Sequence, residues 1–124
     1  MPKLIIPGRL PGINEYIEAE RRNKYKAAQI KREAENIVML CARQQLRGWK
    51  ARGPVMMFYF WVEKDRRRDK DNVSGYGRKI IQDALVKGKF LKNDGWNDIE
   101  GFSDDFSVDK GNPRIEVLIE EITL

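Results

Sequence analysis

Histidine is absent from this chain of 124 residues, and cysteine occurs once, at Cys41. Without histidine the chain cannot build a Ser-His-Asp or Cys-His catalytic site, and nearly every zinc site lacks its ligands. A single cysteine cannot form an internal disulfide, which favours a reducing cytoplasmic setting. Cys41 lies on an apolar helical stripe, so we interpret it as a core residue rather than a nucleophile. Carboxylates, lysine, arginine and hard metal ions remain for catalysis.

Long hydrophobic runs are missing as well. The longest apolar stretch, Val55–Val62, is far too short to span a membrane, and proline and glycine interrupt the N-terminal segment, which does not resemble a signal peptide. We therefore expect a soluble protein without a membrane partner. Its 24 Lys and Arg residues exceed its 19 Asp and Glu residues, for a net charge of +5. This bias favours an anionic partner, of which nucleic acid is the commonest.

No repeat or linker interrupts the sequence, so we expect one domain over residues 1–124. Apolar periodicity predicts an α/β (α+β) fold, a small mixed β-sheet of about four strands packed with two main helices. The first helix is predicted over 15–46, and the second from a start between 72 and 78 to Val86. Strands are predicted over 4–6, 55–62 and 114–122, with a further one over 99–108. The strand over 55–62 is apolar on both alternating faces, which predicts that both are covered.

The segment after that strand reads Asp-Arg-Arg-Arg-Asp-Lys-Asp-Asn, over residues 65–72. If its backbone is extended, Asp69 and Asp71 point the same way and repel each other unless a cation lies between them. Mg²⁺ suits such a place because it commonly binds one or two carboxylates together with phosphate and water. The arginines would draw a phosphodiester toward the carboxylates. The alternative is a solvated charged loop with incidental ion pairs.

Two residues further along the chain extend this hypothesis. Asp94 is a candidate third carboxylate if the chain folds back over the sheet after the second helix. Lys79, on that helix, is a candidate for stabilising negative charge on the attacked phosphate, although an exposed helix lysine is the simpler interpretation. Tyr76 and Trp96 flank the proposed site, where they would either anchor loops or stack on unpaired bases.

Three stretches taken together, 65–72, 78–85 and 88–94, resemble the RusA-type Holliday-junction resolvases. Those are small, basic, homodimeric endodeoxyribonucleases of bacteria and their prophages. The resemblance covers the central third of the chain closely, with weaker echoes over 11–16 and 110–121. Its order, spacing and charge are much more specific than an isolated Asp-x-Asp.

The resemblance implies a cytoplasmic enzyme, bacterial or prophage-encoded, that cuts four-way DNA with Mg²⁺ or Mn²⁺ in recombination and repair. It implies a homodimer whose two sites make paired nicks, since a Holliday junction has approximate two-fold symmetry. Asp69, Asp71 and Asp94 fall on the family's metal-binding aspartates, and Lys79 on its essential lysine. The implied DNA-contacting residues are Arg66, Arg67, Arg68, Asn72, Arg78 and Asn14.

This chain departs from the family pattern at two places. About four extra residues lie within 73–77, where Gly75 and Gly77 each disfavour helix by roughly 1 kcal/mol. The helix is therefore expected to start late, and Arg78 is the substitute if Lys79 is misplaced. Asn93 stands where an acidic residue often precedes the third aspartate.

Two other functions remain open from the sequence. One is a basic DNA-binding accessory module without catalysis, whose aspartates cap loops and pair with the arginines. The other is a nuclease for different branched or single-stranded substrates.

Overall fold

A computed structural model describes residues 1–122 of the chain. It confirms the predicted mixed α/β class with a four-stranded mixed sheet, but it has three helices where two main ones were expected. Among residues 1–122, no helix combines the length and apolar character needed to cross a membrane. In chain order the elements are β1 Lys3–Pro7, α1 Ile13–Arg22, α2 Lys24–Gln45, β2 Val55–Glu63, α3 Lys70–Lys87, β3 Ile99–Val108 and β4 Arg114–Glu121.

The strands lie side by side in the order β1-β4-β2-β3. The β2 and β3 strands are parallel and joined through α3, whereas β4 pairs antiparallel with both β1 and β2. A parallel connection needs a crossover, and α3 supplies it. Residues 64–69 therefore lie at the C-terminal end of β2, where α3 begins.

The predicted long first helix is two helices, divided at Asn23. This residue has extended backbone angles (φ −162°, ψ 110°). Its side-chain oxygen accepts hydrogen bonds from the backbone N–H groups of Tyr25, at 3.0 Å, and Lys26, at 3.4 Å. Asparagine competes with helix continuation in this way and caps the next helix instead. The apolar spacing that predicted the helix lies within residues 27–41, after the break, so it did not reveal the break.

Burial along α2 follows the predicted stripe only in part. Ala27, Ala34 and Val38 are buried, but Ile37 is 51% exposed. Glu35 is charged but only 2% exposed, and one of its carboxylate oxygens lies 2.9 Å from the Lys87 ammonium of α3. This ion pair joins α2 to the far end of α3.

The two faces of β2 differ in what covers them. Val55, Met57, Tyr59 and Trp61 are buried on the face that joins the core. The alternate residues Met56, Phe58 and Phe60 are only half-buried. The prediction that both faces are covered is therefore confirmed for the first face and only in part for the second, where Val62 is buried but the other three residues are partly exposed. The apolar character of the β2 residues did not show which face of the strand would be more fully covered.

Close packing of α3 on β2 depends on Gly77. A Cβ atom at this position would lie 2.7 Å from the Trp61 ring, so the space is available only to glycine. The helix continues through Gly75 and Gly77, because the contact with Trp61 offsets the cost of a glycine at position 77. It starts at Lys70, whereas the two glycines led us to expect a later start.

Candidate functional site

The candidate site lies where β2 ends and α3 begins. Asp69 precedes the helix as its N-cap residue, with extended angles (φ −63°, ψ 152°), and Asp71 lies in the first turn. Both residues are exposed, and over residues 1–122 neither carboxylate forms an ion pair or side-chain hydrogen bond. The helix N-terminus favours negative charge, which helps this position to hold two aspartates. We call Asp69 and Asp71 the amino-terminal carboxylates.

The amino-terminal carboxylates line two different grooves, which meet at Lys70 and Phe106. Asp69 faces a groove shared with Glu63 and Arg66, whereas Asp71 faces another, shared with Ser74. Lys70 borders both grooves. The condition for a common direction, extended backbone through both residues, is not met because α3 starts at Lys70. Once α3 starts at Lys70, side chains two apart no longer share a face.

The three neighbouring arginines have different roles in the structure. Arg66 and Arg67 are exposed, and within residues 1–122 the only ion pair of Arg67 is a long one of 3.6 Å to Asp65. The Arg68 side chain is only 10% exposed and donates to both carboxylate oxygens of Glu63, at 2.9 and 3.1 Å. It also donates to the Leu10 carbonyl oxygen at 3.0 Å. Arg68 therefore ties the end of β2 to the loop before α1 and has little surface left for a phosphate.

Asn72 joins the N-terminal ends of α1 and α3. Its side-chain oxygen accepts a hydrogen bond from the backbone N–H of Asn14 at 2.9 Å. A Cβ atom on Gly12 would lie 2.5 Å from the same oxygen, so this approach needs glycine. The Asn72 side chain is thus a positioning group between two helices, while the Asn14 side chain is exposed.

Lys79 and Asp94 belong to a different part of α3. The Lys79 ammonium lies 3.1 Å from Asp83 and 3.6 Å from Asp94, and Lys31 of α2 lies 3.1 Å from the other Asp83 oxygen. We call these four residues the lysine-bridged cluster. Hydrogen bonding to Asp83 raises the pKa of Lys79. Burial acts to raise the pKa of Asp83, but hydrogen bonds from the two lysines outweigh it and lower that pKa.

The structure does not bring Asp94 to the amino-terminal carboxylates. Lys79 is nine residues beyond Lys70, about 14 Å along a helix axis, and Asp94 is paired with it. In the part of the chain that the structure describes, no three Asp, Glu, Cys or His residues form a group able to hold a metal ion. The three-aspartate arrangement implied by the resemblance is therefore not assembled in this structure.

Arg78 faces β3 rather than a phosphate position beside the carboxylates. It forms an ion pair with Asp104, whose other oxygen accepts a hydrogen bond from the Trp61 indole at 2.8 Å. Its guanidinium carbon lies 4.6 Å from the centre of the Phe102 ring. Arg78 is thus no simple substitute for Lys79.

Sequence reasoning missed three residues on β3 that line the groove beside α3. Phe102, Asp104 and Phe106 alternate along the strand and point to one side of the sheet. The Lys70 ammonium lies over the Phe106 ring, 5.4 Å from its centre. The period-two spacing of these residues was the signal that could have found them.

The two aromatic candidates of the sequence divide clearly. Tyr76 is buried, and its ring stacks on Tyr16 with 4.4 Å between centres, so it anchors α1 to α3. Trp96 is 97% exposed, in the loop between α3 and β3.

Comparison with known proteins adds no family assignment. No protein-family model matches this chain, and no curated protein matches it significantly. The likeness to RusA-type enzymes therefore depends on the motif residues alone.

Proposed function

We propose that this protein is a metal-dependent endonuclease that cuts branched DNA, with four-way junctions as its substrate. The observation that supports this best is the pair of exposed amino-terminal carboxylates, which lack ion-pair partners over residues 1–122, next to exposed Arg66, Arg67 and Lys70. Neighbouring carboxylates without a cationic partner repel each other less when a cation from solvent binds between or beside them. The resemblance to RusA-type enzymes supplies the choice of substrate.

The donor atoms at this place are of the kind that a hard divalent cation prefers, although Asp69 and Asp71 line different grooves in this structure. Asp69 and Asp71 offer carboxylate oxygens only, which Mg²⁺ and Mn²⁺ favour, and a magnesium site often needs no more than two carboxylates plus phosphate and water. When bound, such an ion would activate water and offset negative charge on the phosphate. Arg66, Arg67 and Lys70 would attract and orient the DNA backbone.

Asp94 lies apart from the other two aspartates in this structure. The resemblance assigns it to the same metal, yet in this structure it is paired with Lys79, which Asp83 also holds. For Asp94 to join the other aspartates, Lys79 must release it. Lys79 would keep Asp83 as a partner after that release.

The proposed enzyme acts as a homodimer, and the open face of the sheet is the surface we assign to the second copy. Met56, Phe58 and Phe60 stand half-buried there, with Leu118 of β4 directly opposite Phe58. Charges of both signs surround them, among them Glu116 and Arg114, which pair with each other at 2.7 Å. An apolar centre with a charged rim is typical of an interface, and a rim with both signs is compatible with a copy of itself.

The proposal is tested with a labelled four-way junction incubated with Mg²⁺, with Mn²⁺, or with EDTA. We expect paired nicks in the metal reactions only, and little cutting of a linear duplex with the same arm sequence. Asp94→Asn and Asp83→Asn make a matched pair, because each removes one carboxylate from Lys79. We expect Asp94→Asn alone to reduce cleavage, by about tenfold or more.

Two other results would revise the proposal. Equal cleavage by Asp94→Asn and the unmodified protein would limit the metal site to Asp69 and Asp71. Phe58→Glu should convert a dimer into a monomer in sedimentation analysis, and a protein that is monomeric from the start rules out the paired arrangement.

A second candidate function is a DNA-binding module without catalysis. The observation that favours it is the ion pair that keeps Asp94 at Lys79, away from the amino-terminal carboxylates. Junction binding with no cleavage at any concentration of Mg²⁺ or Mn²⁺ would establish this candidate over the nuclease.

A further inference from the structure

The edge strand β3 places two aromatic rings, Phe102 and Phe106, in the groove beside α3. Its Phe102 is 49% exposed, although it lies on the same side of the sheet as buried Met57 of the neighbouring strand. Phe106 lies four residues further along the same side, about 13 Å away along a strand. The two rings are therefore separate flat surfaces in one groove of about 800 Å³ between α3 and β3.

Each ring carries a cationic side chain from α3. Arg78 lies over Phe102 and Lys70 over Phe106, with ring-centre distances of 4.6 and 5.4 Å. The two cations are eight residues apart on the helix, which brings them to one side, because eight residues span just over two turns. Aromatic rings interleaved with cations along a groove are the usual components of a surface for single-stranded nucleic acid.

The acidic residue within the groove does not oppose this use. Asp104 lies between the two phenylalanines, but Arg78 neutralises it and the Trp61 indole donates to it. Asp105, the next residue, points to the opposite side of the sheet because side chains alternate along a strand. The acidic group left in the groove is Asp71, at the end where the proposed metal would bind.

A further exposed ring extends the row beyond Phe102. Trp96, 97% exposed, borders a second groove to which Phe102 also contributes. From Trp96 through Phe102 to Phe106, aromatic side chains thus follow the edge of the molecule toward the amino-terminal carboxylates.

We infer that this groove binds unpaired nucleotides of a DNA strand, whose bases stack on Phe102 and Phe106 and whose backbone runs toward Asp69 and Asp71. The inference depends on the proposed function for its substrate, and it adds the feature that the protein recognises. Unpaired bases stack on aromatic and guanidinium planes without regard to sequence, whereas bases inside a duplex are already stacked. The groove therefore discriminates between open and fully paired DNA.

The test compares Phe102→Leu with Phe102→Tyr, because the first removes the ring and the second keeps it. Binding is measured in EDTA by fluorescence anisotropy, with a short oligothymidine and a fully paired linear duplex as probes. We expect Phe102→Leu to weaken oligothymidine binding by about tenfold and Phe102→Tyr to bind as the unmodified protein does. Duplex binding should be the same for all three. Tyr25→Leu, an exposed ring on α2, is the control and should change neither probe.

Unchanged oligothymidine binding by Phe102→Leu, or an equal loss for both probes, would overturn the inference. Cleavage of the junction is measured separately with Mg²⁺. If ring-dependent binding persists while no metal supports cleavage, the nuclease proposal fails and the groove stands. If cleavage occurs while binding is independent of the ring, the groove fails and the nuclease proposal stands.

Discussion

At its N-terminal end, α3 presents Asp69 and Asp71 to solvent without ion-pair partners over residues 1–122, whereas further along the helix Asp83 and Asp94 are bridged by Lys79. The residue types are the same in both places. What differs is whether a lysine lies close enough to neutralise the carboxylates. A carboxylate becomes a candidate cation ligand through the lack of such a neighbour, and sequence spacing alone does not reveal it.

The largest expected effect separates the two regions by chemistry. Asp71→Asn should reduce metal-dependent junction cleavage on the order of 100-fold or more, because a ligand of the proposed cation is lost. Junction binding measured in EDTA should be retained or become tighter, since a charge that repels phosphate is removed. Cleavage that survives Asp71→Asn would show that Asp71 is not a ligand of the catalytic cation.

The next effect concerns stability within the amino-terminal region itself. Arg68→Ala should lower the free energy of unfolding by about 3 kcal/mol, because it leaves the largely buried Glu63 carboxylate without its partner. Arg66→Ala, on an exposed side chain of the same run, should change stability by less than about 0.5 kcal/mol. Urea unfolding followed by circular dichroism measures both variants. Equal stability losses would show that Arg68 is no more structural than its neighbour.

A pH experiment tests the contribution of the lysine-bridged cluster to stability. The pKa of Asp83 is lowered in the folded protein. Its charged form therefore contributes stability above its unfolded pKa of about 4, and this contribution disappears as the pH falls through the lower folded value. Asp83→Asn should destabilise the protein at pH 7 by about 1 kcal/mol. Thermal unfolding from neutral to acidic pH should show the difference vanishing at the acid end. A difference that stays constant with pH would mean that the Asp83 charge is not its source.

The smallest effect concerns DNA binding by the exposed cations. Arg67→Ala should weaken junction binding only a few-fold and reduce the slope of log affinity against log salt by about 1, as expected for one lost phosphate contact. Lys31→Ala, which removes a cation from the lysine-bridged cluster, should leave that slope unchanged. A slope that responds to Lys31→Ala instead would show that the DNA contacts the lysine-bridged cluster rather than the N-terminal end of α3.

The sequence predicted β1, β2 and β4 from their apolar runs or alternation, whereas β3 is largely polar and shows only two alternating phenylalanines. The sequence failed at Asn23, whose capping side chain divides the predicted first helix, and at Gly77, whose cost to the helix is offset by contact with Trp61. Both failures come from a single side-chain contact that no periodicity records.

The sequence pointed to candidate residues for the site but not to their arrangement in space. Local order placed Asp69 and Asp71 after β2, but the start of α3 decided where their side chains point. Asp94 and Arg78 found partners on distant segments, Lys79 and Asp104, which the sequence could not pair. Phe102 and Phe106 were visible only as alternation in a strand whose existence was itself an expectation.

The contact between Gly77 and the Trp61 ring lies near the middle of α3. If the helix tilts about this contact, its two ends move in opposite directions, with Asp71 about 9 Å away along the axis on one side and Lys87 about 15 Å away on the other. The Lys87 end forms an ion pair with Glu35. A tilt of α3 about this contact that displaces the carboxylates would therefore also displace Lys87 from Glu35.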